Sequence, residues 1–337
     1  MEELLTNYGL FLAKTFTLVG AFIIIISFLY SASKKQKKLD TLEVENLNDK
    51  YKRMKDIVEK EILLKKAYKD NQKKYKKSKE REKNVSKTIF VLNFQGNIKA
   101  TAVASLREEI TAIISVAKKN DEVLLRLENS GGLVHEHGLA ASQLQRLKDK
   151  NIPLTVSIDK VAASGGYMMA CVANKIISAP FAIVGSIGVL AQLPNFNRLL
   201  ADKGIDYEQI YSGKYKRTLT IFGENTKEGR EKFTEQIEDT YRLFKEFVAH
   251  NRPSLDMDKV ATGEHWYGLQ ALELTLIDEI KTSDDYLLDV STKANLYELN
   301  YKQPKTLPQK IGSLVESSIN QVLDFSAKKN KEQDLFK

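Results

Sequence analysis

Cysteine is the scarcest reactive residue in this chain of 337 amino acids, with Cys171 as its one example. A single cysteine cannot form an internal disulfide, and it cannot supply the clustered thiolates of a structural zinc site. Histidine is also rare, at four residues, and no His-Glu-x-x-His pattern or third clustered ligand accompanies them. The sequence therefore gives no support for a metal centre, and we expect no cofactor.

Positive charge is concentrated in one segment and is not spread over the chain. Residues 34–83 contain 19 Lys and Arg against 10 Asp and Glu, whereas the two signs balance at 32 each from residue 84 onward. The net charge of +8 therefore belongs to one basic segment. Because no basic patch interleaved with aromatic residues follows it, nucleic acid is not an expected partner.

One long apolar run lies near the N-terminus, at residues 8–30. A helix of this length rises about 1.5 Å per residue and can cross a hydrocarbon core about 30 Å thick. Lys14 lies within two turns of one end, from which a lysine can snorkel to the interface. A cleaved signal peptide is the alternative, but Glu2 and Glu3 stand where such a peptide carries positive charge. We therefore predict a single transmembrane anchor over residues 1–33.

The basic segment, residues 34–86, begins with lysines directly after the apolar run. These lysines fit a positive-inside signal and equally fit contact with anionic lipid headgroups, so the side of the membrane stays open. Apolar residues at spacings of three and four predict a charged helix over 39–83 with one apolar stripe of Leu47, Tyr51, Met54, Val58 and Ile62. The stripe is expected to pack on a neighbouring subunit or on the main domain, and a solvated spacer is the alternative.

The main domain is predicted over residues 87–300, where short apolar runs alternate with segments of helical period. Strands are predicted at 89–94, 122–127, 153–158 and 175–179, and helices at 102–118, 138–149, from Ser164 onward, at 226–250 and at 268–280. This alternation requires crossover connections and predicts an α/β fold with a mostly parallel sheet. Residues 301–337 form a separate tail that contains an amphipathic stretch.

Two glycine-bearing loops follow predicted strands, at residues 128–132 (ENSGG) and 162–166 (AASGG). Paired glycines leave backbone N–H groups uncovered and let a substrate approach closely. Ser164 at the start of a helix would have free N–H groups beside it, so the loops together could supply a nucleophile and an oxyanion hole. The alternative is that both loops are tight turns between strand and helix.

A serine nucleophile needs a base, and the residues alone do not identify it. A lysine can serve if burial lowers its pKa, and the segment SGKYK at 212–216 offers Lys214 and Lys216. A histidine is the other possible base, and the chain has four: His135, His137, His250 and His265. The alternative is that these histidines lie at the surface or cap helices.

Four sequence signals, in this order and spacing, resemble peptidase family S49, the signal peptide peptidase A family, and within it the SohB type of inner-membrane serine peptidase. They are ASGGY at 163–167, GSIGV at 185–189, SGKYK at 212–216 and ATGE at 261–264. The resemblance runs from residue 89 to residue 279, and the N-terminal anchor and charged segment also fit it. It implies a ClpP/crotonase-like fold of repeated β-β-α units.

The resemblance also implies a mechanism and an assembly. Ser164 matches the nucleophile and Lys216 the general base of a serine–lysine dyad, and the N–H groups of Gly131 and Gly165 match the oxyanion hole. Members of the family cut apolar extended segments, such as signal-peptide remnants, inside ring-shaped homo-oligomers with shared active sites. The expected partners are therefore peptide or protein substrates, the bacterial inner membrane and further copies of the chain.

One departure from the family pattern and three other functions stay open at this point. The first glycine loop usually reads Ser-Pro-Gly-Gly in the family, whereas this chain has no proline between Asn129 and Gly132.

An α/β-hydrolase-type esterase is an alternative because Ala162-x-Ser164-x-Gly166 is close to a nucleophile elbow. A crotonase-type acyl-CoA enzyme and a catalytically inactive membrane scaffold of the same fold are the others.

Overall fold

A computed structural model of the protein describes residues 2–34, 41–71 and 87–302. The chain divides into two compact units, one of Glu43–Asn300 and one of Met1–Leu42 with Tyr301–Lys337. The amphipathic stretch predicted within 301–337 lies outside the described residues.

The N-terminal helix α1 spans Glu2–Lys34. Large apolar side chains are exposed along the part of α1 whose side chains are described, and Phe16 is 77% exposed. Across residues 2–34, 41–71 and 87–302, no helix combines the length and the apolar character that a membrane crossing requires. The anchor therefore stays a prediction from the sequence.

The segment predicted as one charged helix over 39–83 begins as a strand. Strand β1 covers Thr41–Asn46, helix α2 covers Leu47–Ile62, and residues 65–71 form a further helical segment, α3. The prediction was wrong at β1 because Leu42 and Val44 alternate with glutamates, which is the period of a strand. Of the apolar stripe, Leu47 and Tyr51 pack in a small core cluster, whereas Met54, Val58 and Ile62 are exposed.

The larger of two sheets has seven strands, in the order β1-β10-β2-β3-β4-β6-β9. Its other strands are β2 (Thr88–Gln95), β3 (Glu122–Glu128), β4 (Leu154–Ile158), β6 (Lys175–Ser178), β9 (Glu279–Ile280) and β10 (Asn295–Lys302). The pairings from β10 through to β9 are parallel. Its central strands read as almost continuous apolar runs because both faces are covered.

A small second sheet positions the loops of interest. It has the order β5-β7-β8 and contains β5 (Val161–Ala163), β7 (Ile183–Gly185) and β8 (His265–Tyr267). Strand β4 of the large sheet is followed by β5 of the small sheet and then by helix α6 (Gly165–Ala170). Strands β6 and β7 repeat the step from one sheet to the other. The predicted α/β class with a mostly parallel sheet is confirmed.

Helices cover the sheets: the predicted ones differ from the structure mainly at their ends, and three short ones in the described chain were not predicted. They are α4 (Val103–Val116), α5 (Val134–Asp149), α7 (Asn197–Asp202), α8 (Lys227–Asn251), α9 (Met257–Val260), α10 (Gly268–Glu273) and α11 (Ser283–Val290). Helix α5 begins at residue 134, not 138, so it follows the first glycine loop directly and carries both His135 and His137. The helix predicted over 268–280 ends at Glu273, and β9 follows it.

Candidate active site

Ser164 lies at the sharp turn between β5 and α6. Its backbone has φ 52° and ψ −120°, a left-handed conformation that costs free energy in a residue with a Cβ. Two hydrogen bonds hold it there: the Ser164 N–H donates to the Gly185 carbonyl at 2.8 Å, and the Met168 N–H donates to the Ser164 carbonyl at 3.0 Å. The half-buried Ser164 thus has its backbone held in this conformation from both sides of the turn.

The first glycine loop packs directly against this turn. A Cβ placed on Gly131, which has φ +92°, would lie 2.8 Å from the Ser164 Cβ and 2.9 Å from the Gly165 nitrogen. Every residue other than glycine would therefore clash with the turn as well as strain the backbone. The Asn129–Ala162 bridge ties the two loops together just before the glycines. The structure thus brings together Ser164, Gly131 and Gly165, as the sequence predicted.

The N–H group of Gly131 is not free to serve a substrate. It donates to the side-chain Oδ1 of Asn129 at 2.9 Å. The next residue, Gly132, lines the cavity beside Ser164. The N–H that the resemblance assigns to the oxyanion hole thus already has an acceptor in its own loop, and the assignment of Gly131 stays a prediction.

Two further sequence signals meet at the same place. Strands β7 and β8 pair antiparallel with Gly185 opposite His265, and the Ser186 N–H donates to the Glu264 carbonyl at 2.6 Å. A Cβ on Gly188 would lie 3.0 Å from the Gly263 Cα. The GSIGV and ATGE segments are therefore one structural unit, which places the half-buried Ser186 and the Ser164 turn on the same cavity.

An open cavity of about 670 Å³ lies above Ser164. Its walls come from the first glycine loop and α5, from the segment after β7, from α8, and from the ATGE segment. They are lined by Gly132, Val134, Ser164, Ser186, Gly188, Val189, Leu190, Ile237, Glu238, Tyr241, Thr262 and Gly263. The cavity has the size of a typical ligand site and a mostly apolar floor and wall.

Lys216 is not among the residues that line this cavity. It is exposed in the irregular segment between α7 and α8, where its N–H donates to the Gly213 carbonyl at 3.0 Å. Within one chain, the structure thus does not bring the predicted base to the Ser164 cavity.

Lys214 differs from Lys216 in its electrostatic surroundings. Its Nζ lies 2.8 Å from a Glu228 carboxylate oxygen. The hydrogen bond to Glu228 raises the pKa of Lys214 to about 12. Since a lysine accepts a proton only in its neutral form, the ion pair with Glu228 disfavours Lys214 as a general base at neutral pH.

The histidines do not form a triad with Ser164 in the described chain. His135, His250 and His265 are exposed, His137 is fully buried, and none of the four lines the cavity. The α/β-hydrolase alternative therefore lacks its base. Within residues 2–34, 41–71 and 87–302, no group of His, Cys, Asp and Glu side chains is arranged to hold a metal ion.

The single thiol is also unsuited to chemistry. Cys171 is buried in the main core, on the turn that follows α6. Burial raises its pKa to about 12, so the unreactive thiol form predominates. Ser164 is therefore the stronger candidate nucleophile in this region.

Comparison with known proteins identifies the family of this chain. The profile of the "Peptidase family S49 N-terminal" region matches residues 3–144, and the "Peptidase family S49" profile matches residues 146–297. The chain belongs to peptidase family S49. "Probable protease SohB" of Haemophilus influenzae is 44% identical over 98% of this chain and 99% of its own length. A protein of the same name from Buchnera aphidicola subsp. Schlechtendalia chinensis is 52% identical over 85% and 99%.

A solved structure is similar at lower identity. It is that of 1510-N, a membrane-bound stomatin-specific protease in complex with a substrate peptide. That structure covers 68% of this chain and 97% of its own, with 13% identity and a TM-score of 0.43. The S49 membership rests on the sequence profiles and on the relatives named SohB, and these support peptide hydrolysis as the class of activity.

Proposed function

We propose that this S49 protein is a membrane-anchored serine endopeptidase with Ser164 as its nucleophile and Lys216 as its general base. The observation that carries the proposal is the Ser164 turn. A serine in a left-handed conformation, pressed against a glycine loop and opening on a cavity, fits the geometry of an activated nucleophile.

The proposed reaction proceeds through an acyl-enzyme. Neutral Lys216 takes the proton from the Ser164 hydroxyl, and Oγ attacks the peptide carbonyl carbon to give a tetrahedral oxyanion. The C–N bond then breaks, the lysine returns the proton to the leaving amine, and an ester to Ser164 remains. Water, deprotonated by the same lysine, hydrolyses this ester and regenerates the serine.

Two backbone N–H groups are proposed to stabilise the oxyanion. Gly165 is the first residue of α6, so its N–H has no acceptor within the helix. Gly132 supplies the second, because it lines the cavity while the Gly131 N–H is engaged by Asn129. Removal of one such donor in other enzymes lowers kcat by about 10²–10³.

The cavity walls favour apolar, extended substrates. Val134, Val189, Leu190 and Ile237 contribute apolar surface around Ser164, and Leu190 is largely exposed. Such surface suits the segments on which S49 peptidases act, namely signal-peptide remnants and fragments of membrane proteins. Side chains of that kind gain free energy when they leave water for this groove.

An N-terminal anchor would place this site beside its substrates, at the bacterial inner membrane. The proposal rests on the apolar run at residues 8–30 and on the exposed apolar side chains of α1. The lysines after α1 do not decide on which side of the membrane the peptidase unit lies.

Removal of residues 1–33 is expected to release the protein from membranes and leave peptide cleavage intact. The reason is that the proposed site lies wholly within the separate compact unit Glu43–Asn300. Sedimentation with vesicles and peptidase assays on the same preparation measure both effects. A truncated protein that still sediments with lipid would assign membrane binding to the basic segment or to the tail.

The exposed position of Lys216 favours an active site shared between subunits. In a closed ring the interfaces are heterologous, so Ser164 of one subunit can face Lys216 of the next. Such a ring would also give the exposed Met54, Val58 and Ile62 on α2 a surface to pack against.

Mixing two inactive proteins tests this arrangement. Ser164→Ala and Lys216→Ala proteins, unfolded together and reassembled at equal ratio, should recover about a quarter of wild-type activity, because random mixing joins an intact serine to an intact lysine at about one site in four. Each variant reassembled alone is the matched control. No recovery from rings shown to be mixed would mean that each subunit carries its own dyad.

A further inference from the structure

A polar pair lies buried directly beneath the nucleophile turn and is not used by the mechanism above. Asn129 is 1% exposed and His137 is 0% exposed, in a region otherwise packed with apolar side chains. Neither residue lines the cavity. Burying a polar group costs free energy unless the group makes hydrogen bonds inside the protein. The hydrogen bonds of Asn129 and His137 therefore indicate which parts of the structure the pair holds in place.

Asn129 links the first glycine loop to the strand before the second one, through both its side chain and its backbone. Its Oδ1 accepts the Gly131 N–H at 2.9 Å, which fixes the peptide plane just before Gly132. Its backbone N–H donates to the Val161 carbonyl at 2.9 Å, and its carbonyl accepts the Ala163 N–H at 3.0 Å. Asn129 therefore sets the position of the first loop relative to the strand that ends at Ser164.

His137 supports the same arrangement from α5. Its Nε2 lies 3.2 Å from the Asn129 Oδ1, and its Nδ1 lies 2.9 Å from the Leu133 carbonyl, one turn earlier. The ring also packs against the Gly165 backbone: a Cβ on Gly165 would lie 2.5 Å from the His137 Cγ. The His137 imidazole thus contacts Gly165, whose N–H is one proposed oxyanion donor. It also contacts the Asn129 side chain, which orients the loop that carries the other proposed donor, Gly132.

We propose that Asn129 and His137 are a pair of positioning residues that hold the Gly132 and Gly165 N–H groups at the separation the oxyanion requires. This inference rests on the proposed function. The loop has no proline to fix its backbone, so the side-chain hydrogen bond to Gly131 performs that task. The pair touches neither substrate nor reacting atoms, and it acts only through the two donor residues.

Variants of Asn129 separate the hydrogen bond from the shape of the side chain. Asn129→Leu keeps the branched four-atom side-chain skeleton and removes the acceptor, whereas Asn129→Asp keeps an acceptor at the same place. We expect Asn129→Leu to lower kcat by about ten-fold or more and to change KM by less than about two-fold. The reason is that a displaced oxyanion donor stabilises the transition state less, whereas binding of the substrate in its ground state is unaffected. Asn129→Asp should retain kcat within about three-fold of wild type, by the same reasoning.

Variants of the histidines give a matched control. His137→Phe keeps an aromatic ring and loses the hydrogen bond, whereas His137→Gln keeps a donor. We therefore expect kcat to fall more in His137→Phe than in His137→Gln. His135→Phe is the control, because the His135 side chain is 78% exposed and lies on a different face of the same helix. A peptide aldehyde, which forms a tetrahedral adduct with a serine nucleophile, should lose affinity for Asn129→Leu and His137→Phe in proportion to the fall in kcat, while substrate KM stays constant.

The outcomes distinguish this inference from the proposed function. All variants are compared at equal amounts of folded protein, determined from thermal unfolding and from assembly size. Unchanged kcat and unchanged aldehyde affinity in folded Asn129→Leu and His137→Phe, with wild-type Ser164 reactive toward a serine reagent, would overturn the positioning role alone. A loss that merely follows the fraction of unfolded protein would also overturn it. Absence of any reaction at Ser164 in the wild-type protein would overturn both.

Discussion

Replacement of Ser164 by alanine is expected to abolish peptide cleavage without unfolding the protein. The hydroxyl is the attacking atom, and the backbone bonds that hold the turn, to Gly185 and from Met168, do not involve the side chain. Losses of about 10⁴-fold or more are usual for such nucleophiles. Initial rates on a peptide substrate, with circular dichroism as a check on folding, measure the effect.

Ser186→Ala is the matched control for this substitution. Ser186 lines the same cavity and shares the left-handed conformation, with φ 52°. Its backbone bond to Glu264 survives the change, so we expect activity within a few-fold of wild type. If Ser164→Ala keeps more than about a hundredth of the wild-type rate, or if Ser186→Ala is the inactive variant, the nucleophile has been assigned wrongly.

Replacement of Lys216 by alanine is expected to be comparably damaging, and Lys214→Ala is expected to be mild. Lys214 is held in its charged form by Glu228, at 2.8 Å, so it contributes an exposed ion pair and no base. Loss of such a pair changes stability little. Steady-state kinetics of the two single variants, which differ by only two positions in sequence, give a direct comparison.

The pH dependence provides a second measurement on the same variants. Cleavage by the wild-type protein should increase as the pH is raised, because a lysine accepts the serine proton only when neutral. Lys214→Ala should keep this profile. An inactive Lys214→Ala beside an active Lys216→Ala would show that the resemblance assigns the base two residues away from its true position.

Strands β2, β3, β4 and β6 of the large sheet could be predicted because they are apolar runs bounded by polar turns, as at Thr88–Gln95 and Glu122–Glu128, whereas β9 and β10 were not predicted. Strand β1 was missed because its alternation is short and lies inside a highly charged segment. The strands of the small sheet have three residues each, which is too short for a periodic signal. Yet this small sheet is what brings Gly185 into contact with Ser164.

Only part of the candidate site could likewise be predicted from the sequence. Ser164 and the two glycine loops carry local signals, and the structure places them together. The engagement of the Gly131 N–H could not be foreseen, since it depends on how the Asn129 side chain folds back over its own loop. The pairing of Lys216 with Ser164 is predicted by the family resemblance alone and not by the residues themselves, because one chain does not bring Lys216 to the cavity and the proposed contact lies between subunits.

The central claim is that Ser164 is an activated nucleophile, and covalent labelling tests it most directly. The wild-type protein, treated with a fluorophosphonate and digested, should yield one modified peptide in mass spectrometry, with the adduct on Ser164. Lys216→Ala should label much more slowly, because the serine then lacks its base. An adduct on another residue, or no adduct on a folded and assembled protein, would contradict the account.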